Sequence, residues 1–93
     1  MIQNKSIENS VILITGGTGS FGSTLTELLL KNNVREIRIF SRDENKQDLM
    51  RKTLNDSRVS FYIGDVRDLQ STSDACVNVD YIFHAAALKQ VPS

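Results

Sequence analysis

The chain has 93 residues, 40% of them apolar, with 11 basic and 11 acidic side chains and a formal net charge of zero, which leaves room for one small core and not for two. No run of Lys or Arg exceeds two residues, so there is no basic stripe of the kind that holds nucleic acid, and apolar runs such as Val11 to Ile14 fall far short of a membrane span. The first ten residues, MIQNKSIENS, carry no apolar leader, and the single cysteine, Cys76, cannot close an internal disulfide; both favour a reducing cytoplasm.

In chain order, Val11 to Ile14 is a short continuous apolar run, the pattern of a strand covered on both faces. The stretch TGGTGSFG, residues 15 to 22, breaks it with four glycines. Phe21, Leu25, Leu28 and Leu29 then recur on one face of a predicted helix that ends near residues 31 to 33. A second unit follows: Glu36 to Phe40 reads as a strand, and Lys46, Leu49, Met50, Thr53 and Leu54 sketch an amphipathic helix. Val59 to Ile63 gives a third strand, Leu69, Thr72 and Cys76 a weaker third helix, and Val79 to His84 a fourth strand. Alternation in the order βαβαβαβ with short connections predicts a parallel, doubly wound α/β sheet of Rossmann type, about the first half of such a fold. No linker, repeat or low-complexity tract divides the chain, so residues 1 to 93 are read as one unit.

The glycine stretch matches G-x-G-x-x-G at Gly17, Gly19 and Gly22, with Gly16 preceding it. Its place, directly after a strand and opening a helix, is where a pyrophosphate can rest on free backbone N–H groups at the positive helix end. On this reading Gly16 or Gly17 makes the sharp turn, Gly19 lets backbone approach phosphate, and Gly22 lets helix and strand pack closely. The same residues nearly spell the phosphate loop of nucleotide hydrolases, but Ser23 stands where that motif requires lysine. A purely structural turn is the remaining alternative.

The second predicted strand runs into Ser41, Arg42 and Asp43. An acidic residue at this point would bond a free ribose 2′-hydroxyl, whereas an arginine suits a 2′-phosphate. Arg42 offers a planar, forked donor, with Ser41 and Lys46 as further donors, so NADP is preferred; Asp43 keeps NAD in play. Ser41 and Glu44 also have the spacing of a capping box, and Arg42 could simply be solvated. Strand three delivers Asp65 and Val66 to the same edge, where Asp65 could accept from an adenine amino group and Val66 could cover the ring; alternatively, Asp65 caps a helix starting near Arg67. Strand four delivers His84, Ala85 and Ala86. His84 reads more readily as a hydrogen-bonded structural residue than as a catalyst, and Lys89 either meets an anionic substrate or is solvated.

Four stretches, ILITGGTGSFG, IRIFSRDENKQ, FYIGDVRD and VDYIFHAAALKQVPS, together resemble the extended short-chain dehydrogenase/reductases. SRDENKQ with HAAALKQVP is similar to the inverting UDP-N-acetylglucosamine 4,6-dehydratases of bacterial polysaccharide and flagellin-glycan biosynthesis. The resemblance implies that Thr18, Gly19, Ser20 and Phe21, between Gly16 and Gly22, hold the pyrophosphate. It places Ser41, Arg42 and Lys46 at the 2′-phosphate, Asp65 and Val66 at the adenine, Ala85 and Ala86 against the cofactor, and Lys89 at the nucleotide-sugar substrate. It further implies a homo-oligomeric full-length enzyme and a reaction that takes hydride from sugar C4, eliminates water across C5 and C6, returns the hydride at C6 and inverts C5. No metal is implied.

That family reaction uses a Tyr-x-x-x-Lys pair, the lysine lowering the tyrosine pKa. Four positions after Tyr62 stands Val66, and four after Tyr81 stands Ala85, so no catalytic residue is assigned within this chain. The expectation is an N-terminal fragment of a dehydratase. A non-catalytic NADP-binding module, an inactive remnant and a related nucleotide-sugar epimerase or reductase are the alternatives.

Overall fold

The computed structural model describes residues 7–85. Four strands and three helices alternate: β1 (Val11–Thr15), α1 (Ser20–Leu30), β2 (Glu36–Ser41), α2 (Glu44–Leu54), β3 (Val59–Ile63), α3 (Leu69–Cys76) and β4 (Tyr81–His84). All pair in parallel in one sheet of order β3-β2-β1-β4. The chain steps outward from β1 to β2 to β3, then crosses back to place β4 on the other side of β1. That reversal between β1 and β4 is the switch point at which open α/β sheets bind ligands.

Pleating sorts the core to two faces. Ile12 and Ile14 of β1 and Ile37 and Ile39 of β2 pack with Leu29 of α1 and Met50 of α2 on one side. Leu13, Phe40 and Ala75 of α3 form the other. Helices therefore cover both faces, the doubly wound arrangement expected. β1 is buried along its whole length, whereas β3 and β4 at the sheet margins are only partly covered.

The helices bury faces that match the sequence expectation in part: Leu29 and Met50 are core and Leu25, Leu54 and Cys76 pack against it, but other expected residues lie outside. In α1 the buried residues are Gly22, Thr26 and Leu29, and Phe21 and Leu28 lie outside at 43% and 53% exposure. Thr26 tolerates burial because its hydroxyl donates to Gly22 O at 2.8 Å. In α2 Gln47 and Met50 are buried while Leu49 is exposed, and in α3 Ala75 is buried while Leu69 is exposed. Small or internally satisfied side chains line the sheet because they let helix and strand approach closely.

Two arginines close helix C-termini from a distance. Arg58, ahead of β3, donates to Leu30 O and Asn32 O at the end of α1 and pairs with Asp56 at 3.0 Å. Hydrogen bonds from the Arg58 side chain and backbone N–H to Asp56 push that carboxyl below its ordinary range. Arg38 of β2 donates to Ala75 O and Val77 O at the end of α3. Cationic donors at these carbonyls complement the negative end of each helix.

Candidate functional site

All four strands end at one edge, where a cleft of about 590 Å³ opens between Thr15 at the end of β1 and Gly16 after it, Ser41 at the end of β2 and Arg42 after it, Gly64 to Arg67 after β3, and His84 of β4. The glycine turn forms one wall. Gly16 has φ 67°, a left-handed conformation that favours glycine, and its N–H donates to Phe40 O at 2.8 Å. Gly17 backs onto β2, where a Cβ would lie 2.9 Å from Ile39 Cγ2. Gly22 meets the turn itself: a Cβ there would stand 2.5 Å from both Gly17 Cα and Gly17 O. Gly16 thus makes the bend, and Gly22 seats α1 on the bend rather than on the strand.

Gly19 is the N-cap of α1, in extended conformation and without a side chain to cap with. The other helices differ. Asp43 caps α2 by accepting from Lys46 N–H at 3.0 Å, and Asp68 caps α3 by accepting from Gln70 N–H at 3.2 Å. Two sequence expectations are corrected here. Ser41 and Glu44 form no capping box, because Ser41 is still in β2, paired with Ile63, and the cap falls to Asp43. Nor does Asp65 cap a helix, because α3 starts only at Leu69. Asp65 instead accepts from Arg67 N–H at 2.9 Å in a tight turn and from the Arg67 guanidinium at 2.7 Å. Arg42 Nη1 lies 3.5 Å from the same carboxylate. Arg67 above all, with Arg42 adding to it, holds Asp65 well below the usual carboxylate range.

Gly16, Ser41, Arg42, Asp65 and Val66 are brought together around the cleft. Thr18 joins Ser41, Arg42 and Asp43 along an adjoining depression. Lys46 is set apart, in a groove between α1 and α2 that it shares with Thr18 and Ser23. Ser20 and Phe21 open α1 as exposed residues. Ala85 is buried in the core at 1% exposure, while Ala86 and Lys89 lie outside the described residues. His84 Nδ1 shares a hydrogen bond of 2.9 Å with Thr15 Oγ1, tying β4 to β1. The sequence reading missed Gln47, which is 1% exposed and donates through Nε2 to Ser41 Oγ at 3.0 Å and Tyr62 O at 2.9 Å. A polar residue in the middle of an amphipathic helix gave no periodic signal.

This set of residues fits a dinucleotide cradle on three observations: a helix start with no capping side chain, a turn whose close approach a Cβ would obstruct, and an arginine 71% exposed beside the end of β2. Among the described residues no helix is long and apolar enough to cross a membrane, and no cluster of His, Cys, Asp or Glu is placed to hold a metal ion.

A protein of Rickettsia prowazekii named UDP-glucose 4-epimerase is 58% identical over 89 residues, 91% of this chain and 26% of its own length. The chain therefore spans about a quarter of the curated relatives it matches. The X-ray structure of Pen from Bacillus thuringiensis superposes with a TM-score of 0.81 at 32% identity, over 84% of this chain and 25% of that one. The Bordetella bronchiseptica enzyme WbmF, crystallised with NAD+ and UDP, superposes with a TM-score of 0.72 at 21% identity, over 88% of this chain and 24% of its own, a likeness of fold. The model of the family described as polysaccharide biosynthesis protein matches residues 12–93, and the chain belongs to that family.

Proposed function

We propose that residues 1–93 are the N-terminal part of an NAD(P)-binding Rossmann domain, and that the domain serves a nucleotide-sugar-modifying enzyme of short-chain dehydrogenase/reductase type. The observation that carries this reading is the uncapped start of α1 on the glycine turn, at the sheet edge that also presents Arg42. Backbone N–H groups of the α1 first turn, around Gly19, Ser20, Phe21 and Gly22, receive the pyrophosphate, with Thr18 beside it. Ser41 and Arg42 hold the 2′-phosphate, and Lys46 adds positive charge across Thr18. Asp65 and Val66 take the adenine, and Ala85 closes the floor. NADP is favoured over NAD because the side chain that would hold a free 2′-hydroxyl, Asp43, is engaged in capping α2, while Arg42 is 71% exposed and held, among the described residues, by a single 3.5 Å contact with Asp65. When bound, the cofactor supplies a hydride acceptor.

For the substrate, the motif resemblance supports UDP-N-acetylglucosamine and 4,6-dehydration with C5 inversion, Lys89 meeting the sugar nucleotide. The relatives named UDP-glucose 4-epimerase favour a second reading, epimerisation at C4 of a UDP-sugar. Either would place the protein in the supply of sugars for surface glycans. Titration of the protein with NADPH and with NADH, followed by nicotinamide fluorescence, tests the cofactor reading. Saturable and tighter binding of NADPH is expected, and equal or tighter binding of NADH overturns the NADP assignment. Incubating the full-length protein with UDP-N-acetylglucosamine separates the two reactions, since only dehydration removes one water from the mass of the product.

A further inference from the structure

We propose that Gln47 is a positioning residue for cofactor selection, acting through Ser41; the inference rests on the reading that this edge binds NADP. The Gln47 amide nitrogen lies between two carbonyl oxygens, Tyr62 O at 2.9 Å and Ser41 O at 3.4 Å. Carbonyls can only accept, so the atom between them is the NH2 group, and the amide orientation is fixed. With one hydrogen on Tyr62 O, the other is directed to Ser41 Oγ at 3.0 Å. Ser41 Oγ is thereby made an acceptor toward the protein. Its own hydrogen has no acceptor among the described residues, and Ser41 lines both the main cleft and the depression beside Arg42. A hydroxyl held this way presents O–H, which a phosphate oxygen accepts and which adds little for a ribose hydroxyl able to donate for itself.

A second observation points the same way. Gln47 Oε1 is buried and has no hydrogen-bond partner among the described residues. Leaving an acceptor unmet in the interior is unfavourable, and an apolar side chain of the same size would avoid it while still filling the space. The amide is therefore kept for its donor half, whose targets are the Ser41 hydroxyl and the carbonyls that join β2 to β3.

The test measures dissociation constants of NADPH and NADH for the unmutated protein, Ser41→Ala, Gln47→Met and the double variant, with unfolding midpoints as a check on folding. Each single change is expected to lower the preference for NADPH by about tenfold, the worth of one hydrogen bond to a charged group, and the double variant is expected to match Ser41→Ala alone. Additive losses, or an unchanged preference in Gln47→Met, overturn the inference. Independently of whether Gln47→Met folds, the side-chain amide protons of Gln47 in 15N-labelled unmutated protein should shift with NADPH and not with NADH. Equal shifts overturn it. An unmutated protein without preference for NADPH overturns the NADP reading together with this inference, whereas a preference untouched by Ser41→Ala overturns the inference alone.

Discussion

At the start of α2 and of α3 an aspartate turns back onto the helix, Asp43 to Lys46 N–H and Asp68 to Gln70 N–H, whereas α1 starts from Gly19 with nothing there to turn back. The three helices are otherwise alike, each laid on one sheet after a parallel strand. Two of them satisfy their first N–H groups internally and bring negative charge to a positive helix end. The third keeps its end open and spends its sequence on close packing instead, with Gly22 against Gly17. In a fold that can cap its helices, an uncapped one at the carboxyl edge of the sheet is where the pyrophosphate of the proposed cofactor would supply the missing acceptor.

The strongest way to break this comparison is to fill the space under α1. Gly22→Ala puts a methyl 2.5 Å from backbone atoms that cannot rotate away. Overpacking of this kind costs about 1–3 kcal/mol, and the variant should lose stability in urea and lose NADPH binding together. Gly17→Ala should cost less, because its nearest neighbour is the side chain of Ile39. Next in size is Gly19→Asp, which gives α1 the cap the other helices have. The backbone there, φ −76° and ψ 177°, suits any residue, so stability should hold or rise by a few tenths of a kcal/mol, while NADPH affinity falls more than tenfold as carboxylate and phosphate compete. Undiminished binding by a folded Gly19→Asp would falsify the idea that α1 is left open for an anion.

Arg42→Ala sharpens the comparison by separating the two ends of the cofactor. It should weaken NADPH by about tenfold or more and leave NADH nearly unchanged in the same titration. Asp43→Ala and Asp68→Ala should each cost about 1 kcal/mol in urea unfolding, as lost caps do. The smallest effect concerns pH. Arg67 depresses the Asp65 carboxyl below its ordinary 3.8, so the stability this turn contributes is fully present above that value. It is lost as pH falls from there through the lower folded-state value. Asp65→Asn should flatten that part of an acid titration of the unfolding midpoint, slightly, and molar salt should do the same.

Much of this was legible in the sequence. β3 runs from Val59 to Ile63 as its apolar, β-branched composition predicts, and β1 and β2 each extend one residue past the predicted end, because Thr15 and Ser41 continue the ladder. The glycine motif was legible because its meaning is backbone geometry, and glycine is the residue that discloses it. Helix faces were legible in part: Leu29 and Met50 are core as periodicity predicts and Leu25, Leu54 and Cys76 pack against it, but periodicity also scores Leu28, Leu49 and Leu69 as core where close helix–sheet contact selected Thr26, Gln47 and Ala75. The cap of α2 was misplaced by two residues for a related reason: whether Ser41 or Asp43 caps depends on where pairing with β3 stops, which is a long-range fact. Asp65 shows the same limit, since its guanidinium partners come from two different loops.

Arg58 carries one more consequence. Its guanidinium closes the last carbonyl of α1, at Leu30, and that of Asn32 just past the helix, from a position 28 and 26 residues further along the chain. The turn after α1 closes the Leu28 and Leu29 carbonyls locally, but the Leu30 and Asn32 carbonyls stay without their protein donor during synthesis until the loop before β3 has emerged, so the end of α1 is completed by a non-local contact. The element that follows the glycine bend thus receives its last donors late and from behind, and Arg58→Ala should fray that end, read as faster hydrogen exchange at Lys31 and Asn32 with the rest of α1 little changed.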